Sequence, residues 1–378
     1  MYSKIVVVGS GLFGLTIAER IANVLKREVL IVEKRSHIGG NAWSEEDQKT
    51  GIEIHKYGSH LFHTSHEGVW KYVNQFTEFN SYKHHVWTIH KGQTYPMPIN
   101  LGTMSQFFGH SLTPNTARAI IENEIKDFSF PGEPTFESVA IKTIGTSLYN
   151  AFIRGYTEKQ WQVAPNQLPA EIFTRLPLRF NFETGYFSDK YEGLPLKGYG
   201  NFIMNMSRNN LIKFATDTDF FTSGISLSPD TLLIYTGPID LFFKYKYGQL
   251  GWRTLDFNLE HHEVSDFQGT SVMNYADSNV KFTRIHEFQH LHPERKKRSK
   301  GTVIMREYSR ISELEDEPYY PINSPSDRSA LLQYRALANA MENVIFGGRL
   351  GTYQYLDMHM AIASAINTFD SEIRPRFV

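Results

Sequence analysis

The chain has 378 residues, 41% of them hydrophobic and 21% charged, with a formal net charge of −1 and no cysteine. At roughly 150 residues per domain, this length allows two or three domains and a core that needs no covalent staples. Near-neutral charge removes a general electrostatic case for nucleic acid or anionic membrane, and the lack of cysteine excludes disulfides, thiolate nucleophiles and cysteine-ligated metals.

The N-terminus runs almost directly into an apolar strand, without the features of a signal peptide. No apolar run approaches the roughly 20 residues that span a bilayer. A cytoplasmic protein with no membrane span is expected. KIVVV at 4–8 is a continuous β-branched run, as in a buried parallel strand. The turn GSGLFG follows at 9–14. Leu15, Ala18, Ala22 and Leu25 then recur at helical spacing, and EVLIVEK forms a second strand ending at Glu33. Gly9, Gly11 and Gly14 thus make G-x-G-x-x-G between a strand and a helix. The first glycine allows the tight turn, the second lets backbone approach a pyrophosphate, and the third lets the helix pack on the strand. Glu33, about 20 residues on, stands where an acidic side chain binds ribose hydroxyls.

Thr64 and Glu67 suggest a capping box, so a helix is expected from about 65. YKHHVWTIHKGQTYPMPI reads as two strands around a Lys91-Gly92 turn. The texture from 101 to 180 is helical: Thr113-Pro114 looks like an N-cap and first helical residue, and Val139, Ile144, Leu148 and Phe152 recur at roughly helical intervals. Residues 163–200 are loop-like and rich in Pro, Gly and Asn. TLLIYTG at 231–237 is another buried strand, 250–310 is mostly strand, and GGRLGTYQYLDMHMAIASAINTF ends the chain with a glycine turn and a helix. The first 80 residues lack enough strands to stand alone, so the nucleotide domain is expected to be discontinuous.

His286-Glu287-Phe288-Gln289-His290 matches H-E-x-x-H, a zinc signature that needs a helix. Its surroundings read as a strand running into a loop. On a strand, residues four apart are separated by about 13 Å, too far for one zinc, so no metal site is expected. His84-His85 and His261-His262 read as polar strand residues. Arg295, Lys296, Lys297, Arg298 and Lys300 read as a solvated hairpin loop. Tyr149, Phe152, Tyr156 and Trp161 concentrate rings that suit either a core or a stacking site.

A second glycine pair, Gly39-Gly40, lies just past Glu33. This arrangement resembles FAD enzymes related to glutathione reductase and the amine oxidases, and favours FAD over NAD. GSGLFG, IGGNAW, YGSHLFHT, YPMPINL, NAFIRGYTEKQW, TRLPLRFNF with TGYF, FTRI, PYYPI and GGRLGTYQYLDM occur in this order. Together they resemble the bacterial-type UDP-galactopyranose mutase family across nearly the whole chain. The resemblance implies an α/β fold: a discontinuous Rossmann-like FAD-binding domain (1–80, 196–245 and 315–378), an inserted helical domain with a mobile lid (99–182), and an antiparallel β-sheet substrate domain (81–98, 183–195 and 246–314).

It also implies redox-neutral interconversion of UDP-galactopyranose and UDP-galactofuranose, with reduced FAD as nucleophile on the anomeric carbon and galactofuranose supplied to cell-surface glycans. Arg175, in the lid, and Arg284 fall on the family's diphosphate-binding arginines. Phe152, Tyr156, Thr157 and Trp161 should flank the uridine. Tyr186, Phe187, Asn274, Tyr319 and Tyr355 should line the diphosphate and sugar region. Among cofactor contacts, Phe13, Lys34, Gly40, Asn41 and Gly237 join Gly9, Gly11, Gly14 and Glu33. His60, Leu61, Arg349, Asp357 and Met358 complete that set, with His63 a catalytic candidate beside the flavin ring. A homodimer that binds no nucleic acid is expected. The alternative is a flavin amine-oxidase-like oxidoreductase with the same FAD fold.

Overall fold

The computed structural model describes residues 2–175, 178–225, 228–295 and 301–377, without the side chains of Glu171, Thr174 and Arg175. Its first layer is a five-stranded parallel sheet in the order Val344–Phe346, Thr231–Tyr235, Lys4–Val8, Val29–Val32, Ile212–Ala215. The two central strands come from chain segments more than 200 residues apart, paired from Lys4↔Thr231 to Val8↔Tyr235. Val6, Val7, Leu232 and Leu233 are fully buried, as the unbroken apolar runs require when both faces of a strand are covered. The helix Leu12–Arg20 continues as a π turn at Ile21–Leu25, closed by Lys26 at φ 55°. It packs beside the C-terminal helix Met358–Thr368.

The second layer is a seven-stranded sheet in the order Tyr320–Pro321, Trp252–His262, Thr302–Ile311, Arg284–Glu287, Val272–Tyr275, Val86–His90, Gln93–Met97. Every pair is antiparallel except Val272–Tyr275 with Val86–His90, which is parallel. The hairpin turns at Lys91 and Gly92, both at positive φ. Between these sheets in sequence lies a group of helices. Thr113 caps Pro114–Ile125 as the sequence predicts, in a box with Thr116.

Two local expectations change. The helix expected from about 65 spans Glu67–Val73 and is capped by His66, whose ring accepts from Val69 N–H; Thr64 ends the strand Phe62–Thr64. The long helical stretch after Thr135 breaks at Gly145 (φ 81°), where a side chain would meet Glu124 at 2.6 Å. A π turn at Tyr149–Arg154 then leads into the helix Gly155–Trp161.

Candidate functional site

Gly9 sits at φ 93°, and a Cβ there would lie 2.1 Å from Thr236 Oγ1. A Cβ at Gly14 would lie 2.1 Å from the carbonyl oxygen of Gly9. Both therefore need glycine for packing. Gly11 differs: a Cβ there would meet nothing within 4 Å. It caps the helix Leu12–Arg20 with no side-chain bond and no acidic residue in the first turn. Open space and unpaired N–H donors suit an anion. Gly39 and Gly40 have φ of 97° and 57°, and a Cβ on Gly40 would come 3.0 Å from Gly11 Cα. The second glycine pair is thus pressed onto the first turn.

Glu33 is buried. Its Oε2 accepts from Ser10 N–H (2.8 Å) and Ser10 O–H (2.6 Å), and its Oε1 from Arg35 N–H (2.9 Å). A carboxylate offers about four lone-pair sites, so one is left for a ribose hydroxyl.

These residues open into a cavity of about 740 Å³ that continues to the larger sheet. Every predicted site residue whose side chain is described lines it. Arg175 closes a short 3-10 segment, Ala170–Arg175, and its side chain lies outside the described residues. Lys34 is exposed at the rim.

Midway along the cavity, His60 Nδ1 bonds Gly58 O at 2.7 Å. Burial pulls its pKa down to about 4, outweighing that bond, so the ring is neutral at physiological pH. His63 lies flat on Phe187, with centroids 3.7 Å apart, and meets the His359 ring edge-on at 4.9 Å. Arg349 donates to Tyr319 O (2.5 Å) and Pro318 O (3.2 Å). Among the described residues no carboxylate pairs with it, and burial lowers its pKa. Asp357 sits at the N-cap of Met358–Thr368 without a side-chain cap bond.

At the far end Arg284 and Glu307 are direct cross-strand partners, with Arg284 Nε 3.2 Å from Glu307 Oε1. The Arg284 guanidinium also donates to the Tyr156 hydroxyl. Burial opposes its charge, but Glu307 and the surrounding tyrosines keep its pKa well above the ordinary value. Burial likewise opposes the Glu307 carboxylate, yet Arg284 and His286 hold it down to about 2. Asn274 pairs with Arg284 on the other strand edge, and among the described residues its buried Oδ1 has no hydrogen-bond partner. Tyr320 and Tyr355 stack at 5.9 Å.

The helix carrying Tyr156, Thr157 and Trp161 is seated firmly on the sheet. A Cβ on Gly155 would lie 2.5 Å from Ala276 O. Lys159 Nζ donates to Tyr275 O (2.6 Å) and Phe282 O (3.0 Å). Phe152 lines the cavity but is 3% exposed and packs edge-on against Tyr95 and Phe107, so it is as much core as wall.

Among the cavity residues that sequence reasoning missed are His84, His286 and Glu307. The sequence reads His84 and His85 as polar strand residues. They lie just ahead of the strand, where His84 turns inward at 4% exposure while His85 faces out. Burial lowers the His84 pKa to about 3, helped by Arg284. In HEFQH, His286 lies on a strand and His290 on a 3-10 turn. Ser59 and Glu307 hold the first, Asp266 and Glu287 the second. The two imidazoles share no partner, contrary to a zinc reading of the motif.

A sequence profile of the UDP-galactopyranose mutase family matches residues 151–355, and one of an NAD(P)-binding Rossmann-like domain matches 7–76. A probable UDP-galactopyranose mutase of Klebsiella pneumoniae is 41% identical over 97% of this chain and 94% of its own length. A dTDP-fucopyranose mutase of Escherichia coli is 38% identical over 96% and 97%. Among solved structures, a reduced UDP-galactopyranose mutase superposes with a TM-score of 0.76 at 14% identity, covering 98% of this chain and 93% of that one. A putative protoporphyrinogen oxidase from Exiguobacterium shares the fold with a TM-score of 0.65 at 13% identity over 98% and 99%. No helix among the described residues is long and apolar enough to cross a membrane.

Proposed function

The chain belongs to the UDP-galactopyranose mutase family, a family of flavin-dependent isomerases, and we propose that it interconverts UDP-galactopyranose and UDP-galactofuranose with no net oxidation. The observation that carries this reading is one cavity with two ends, each suited to an anion. One end is the open glycine turn ahead of Leu12–Arg20, and the other is Arg284 set between Glu307 and Tyr156.

The residues fit FAD. Gly11 leaves room for its pyrophosphate, Glu33 keeps a lone pair for its ribose, and Arg349 is a half-buried cation with no carboxylate partner among the described residues. When bound and reduced, FAD supplies the nucleophile for the anomeric carbon. The protein's part is electrostatic and positional. As the anomeric C–O bond breaks, negative charge grows on the departing diphosphate. Arg284, already oriented by Glu307, meets that charge without reorganising. Arg175 is proposed to join it from the lid segment and to exclude water. Tyr156 and Trp161 flank the uridine, and the orphan Oδ1 of Asn274 accepts from a substrate hydroxyl or imide N–H. Neutral His60 keeps positive charge off the middle of the cavity, and His63 handles a proton there.

The protein is proposed to act as a cytoplasmic homodimer that supplies galactofuranose for cell-surface glycans. A second reading, mutase action on dTDP-fucopyranose, rests on the Escherichia coli relative. Comparing kcat/KM for the reduced protein on UDP-galactofuranose and on dTDP-fucofuranose decides the substrate. A higher value for the dTDP sugar overturns UDP-galactose.

A further inference from the structure

The first histidine of HEFQH has no role in the reaction as described, yet it is almost wholly buried and lines the cavity. His286 and Arg284 are two apart on one strand, so they share a face. Glu307, on the neighbouring strand directly opposite Arg284, lies between them. His286 Nε2 lies 3.2 Å from Glu307 Oε2, while Glu307 Oε1 forms an ion pair with Arg284 Nε at 3.2 Å, outside hydrogen-bond geometry, and accepts from the Thr283 hydroxyl at 3.0 Å. The other imidazole nitrogen, Nδ1, lies 2.8 Å from Ser59 Oγ. Ser59 belongs to the loop at 57–61, which lines the cavity.

Two constraints place the protons, an ionised carboxylate and a neutral ring. An ionised carboxylate only accepts, so His286 Nε2 carries hydrogen and donates to Glu307. In the neutral ring Nδ1 is then an acceptor, and the Ser59 hydroxyl donates to it. Burial keeps the ring neutral against the pull of Glu307. The result is one directed chain: Ser59 to His286 to Glu307, whose other oxygen orients Arg284, which in turn donates to Tyr156.

We infer that His286 is a positioning residue for the substrate diphosphate: its Nε2–H locks the Glu307 carboxylate, and through it the Arg284 guanidinium, to the loop at the cofactor-facing wall. The inference rests on reading this cavity as a nucleotide-sugar site. Without His286, Glu307 can rotate and Arg284 is no longer held at one position. Phosphate recognition then suffers while recognition of the base does not.

Titration calorimetry of the holoprotein with UDP and, separately, with uridine tests this. Glutamine places an amide N–H where Nε2 stands, whereas asparagine is too short to reach Glu307. We expect His286→Gln to bind UDP within about threefold of the parent, and His286→Asn to bind UDP about tenfold or more weakly. Uridine affinity should be the same in all three. Equal UDP affinity in both variants, or parallel loss of UDP and uridine in His286→Asn, overturns the inference. Should His286→Asn not fold, His286→Gln still decides, because a loss of UDP affinity of about tenfold or more in it is equally fatal. A parent protein that binds no UDP defeats the nucleotide-sugar reading, and this inference with it.

Discussion

Asp189 Oδ2 lies 2.7 Å from Nδ1 of His63. Burial opposes the Asp189 charge, but bonds from His63 and from Ser65 hold its pKa below the ordinary value. The carboxylate therefore accepts, Nδ1 carries the proton, and Nε2 is free to act toward the cavity. Asp189→Asn removes the charge and lets either tautomer form. Charge-assisted bonds of this kind contribute about 1.5–3 kcal/mol, so kcat is expected to fall about tenfold with little change in KM. Steady-state kinetics on UDP-galactofuranose check this, and an unchanged kcat contradicts the assignment.

Arg284→Lys keeps the charge and loses the fork. The present guanidinium serves Glu307 and Tyr156 at once, which one ammonium group cannot reproduce while also meeting a diphosphate. A loss of about tenfold or more in kcat/KM is expected. Near-parental turnover in this variant removes Arg284 from the mechanism.

Gly11 and Gly14 separate binding from folding. A Cβ at Gly11 meets nothing, whereas one at Gly14 collides with backbone at 2.1 Å. Gly11→Val should unfold at the same temperature as the parent once both are stripped of flavin, yet purify nearly colourless. Gly14→Ala should lose thermal stability even without flavin. The flavin-to-protein absorbance ratio and a melting curve read both effects. A yellow Gly11→Val protein contradicts the pyrophosphate assignment.

Acid sensitivity follows from Glu287. Burial opposes its charge, but His290, the Phe267 and Gln268 N–H groups and the Thr302 hydroxyl hold it at about 2 against an ordinary 4.5. A depressed carboxylate stabilises the fold above its unfolded pKa, and that contribution is lost as pH falls toward the folded value. Glu287→Gln should therefore cost on the order of a few kcal/mol near neutrality. The gap to the parent should narrow as pH drops below about 4.5. Urea unfolding at a series of pH values measures it, and a gap independent of pH contradicts the sign.

Where local pattern decides structure, the sequence was readable. The run KIVVV, the glycine turn and the helical repeat after Leu15 are set by neighbours within a few residues, and so is the Thr113 cap. The parallel pairing of Val272–Tyr275 with Val86–His90 joins segments about 185 residues apart and leaves no local trace. The inward turn of His84 depends on where the strand begins at Val86, two residues after it. Glu307 belongs to no motif. Its role arises only because the register sets it opposite Arg284. A cross-strand search for a carboxylate facing that arginine was the one available signal, and it needs the pairing first. The family resemblance located the cavity residues it named because it carries the folded arrangement with it.

The most direct test of the account is anaerobic incubation of the purified flavoprotein with UDP-galactofuranose, before and after dithionite reduction, with products separated by chromatography. UDP-galactopyranose is expected only from the reduced protein, with the flavin spectrum still reduced at the end. Conversion by the oxidised protein, or reoxidation of the flavin in step with loss of the sugar nucleotide, would contradict it.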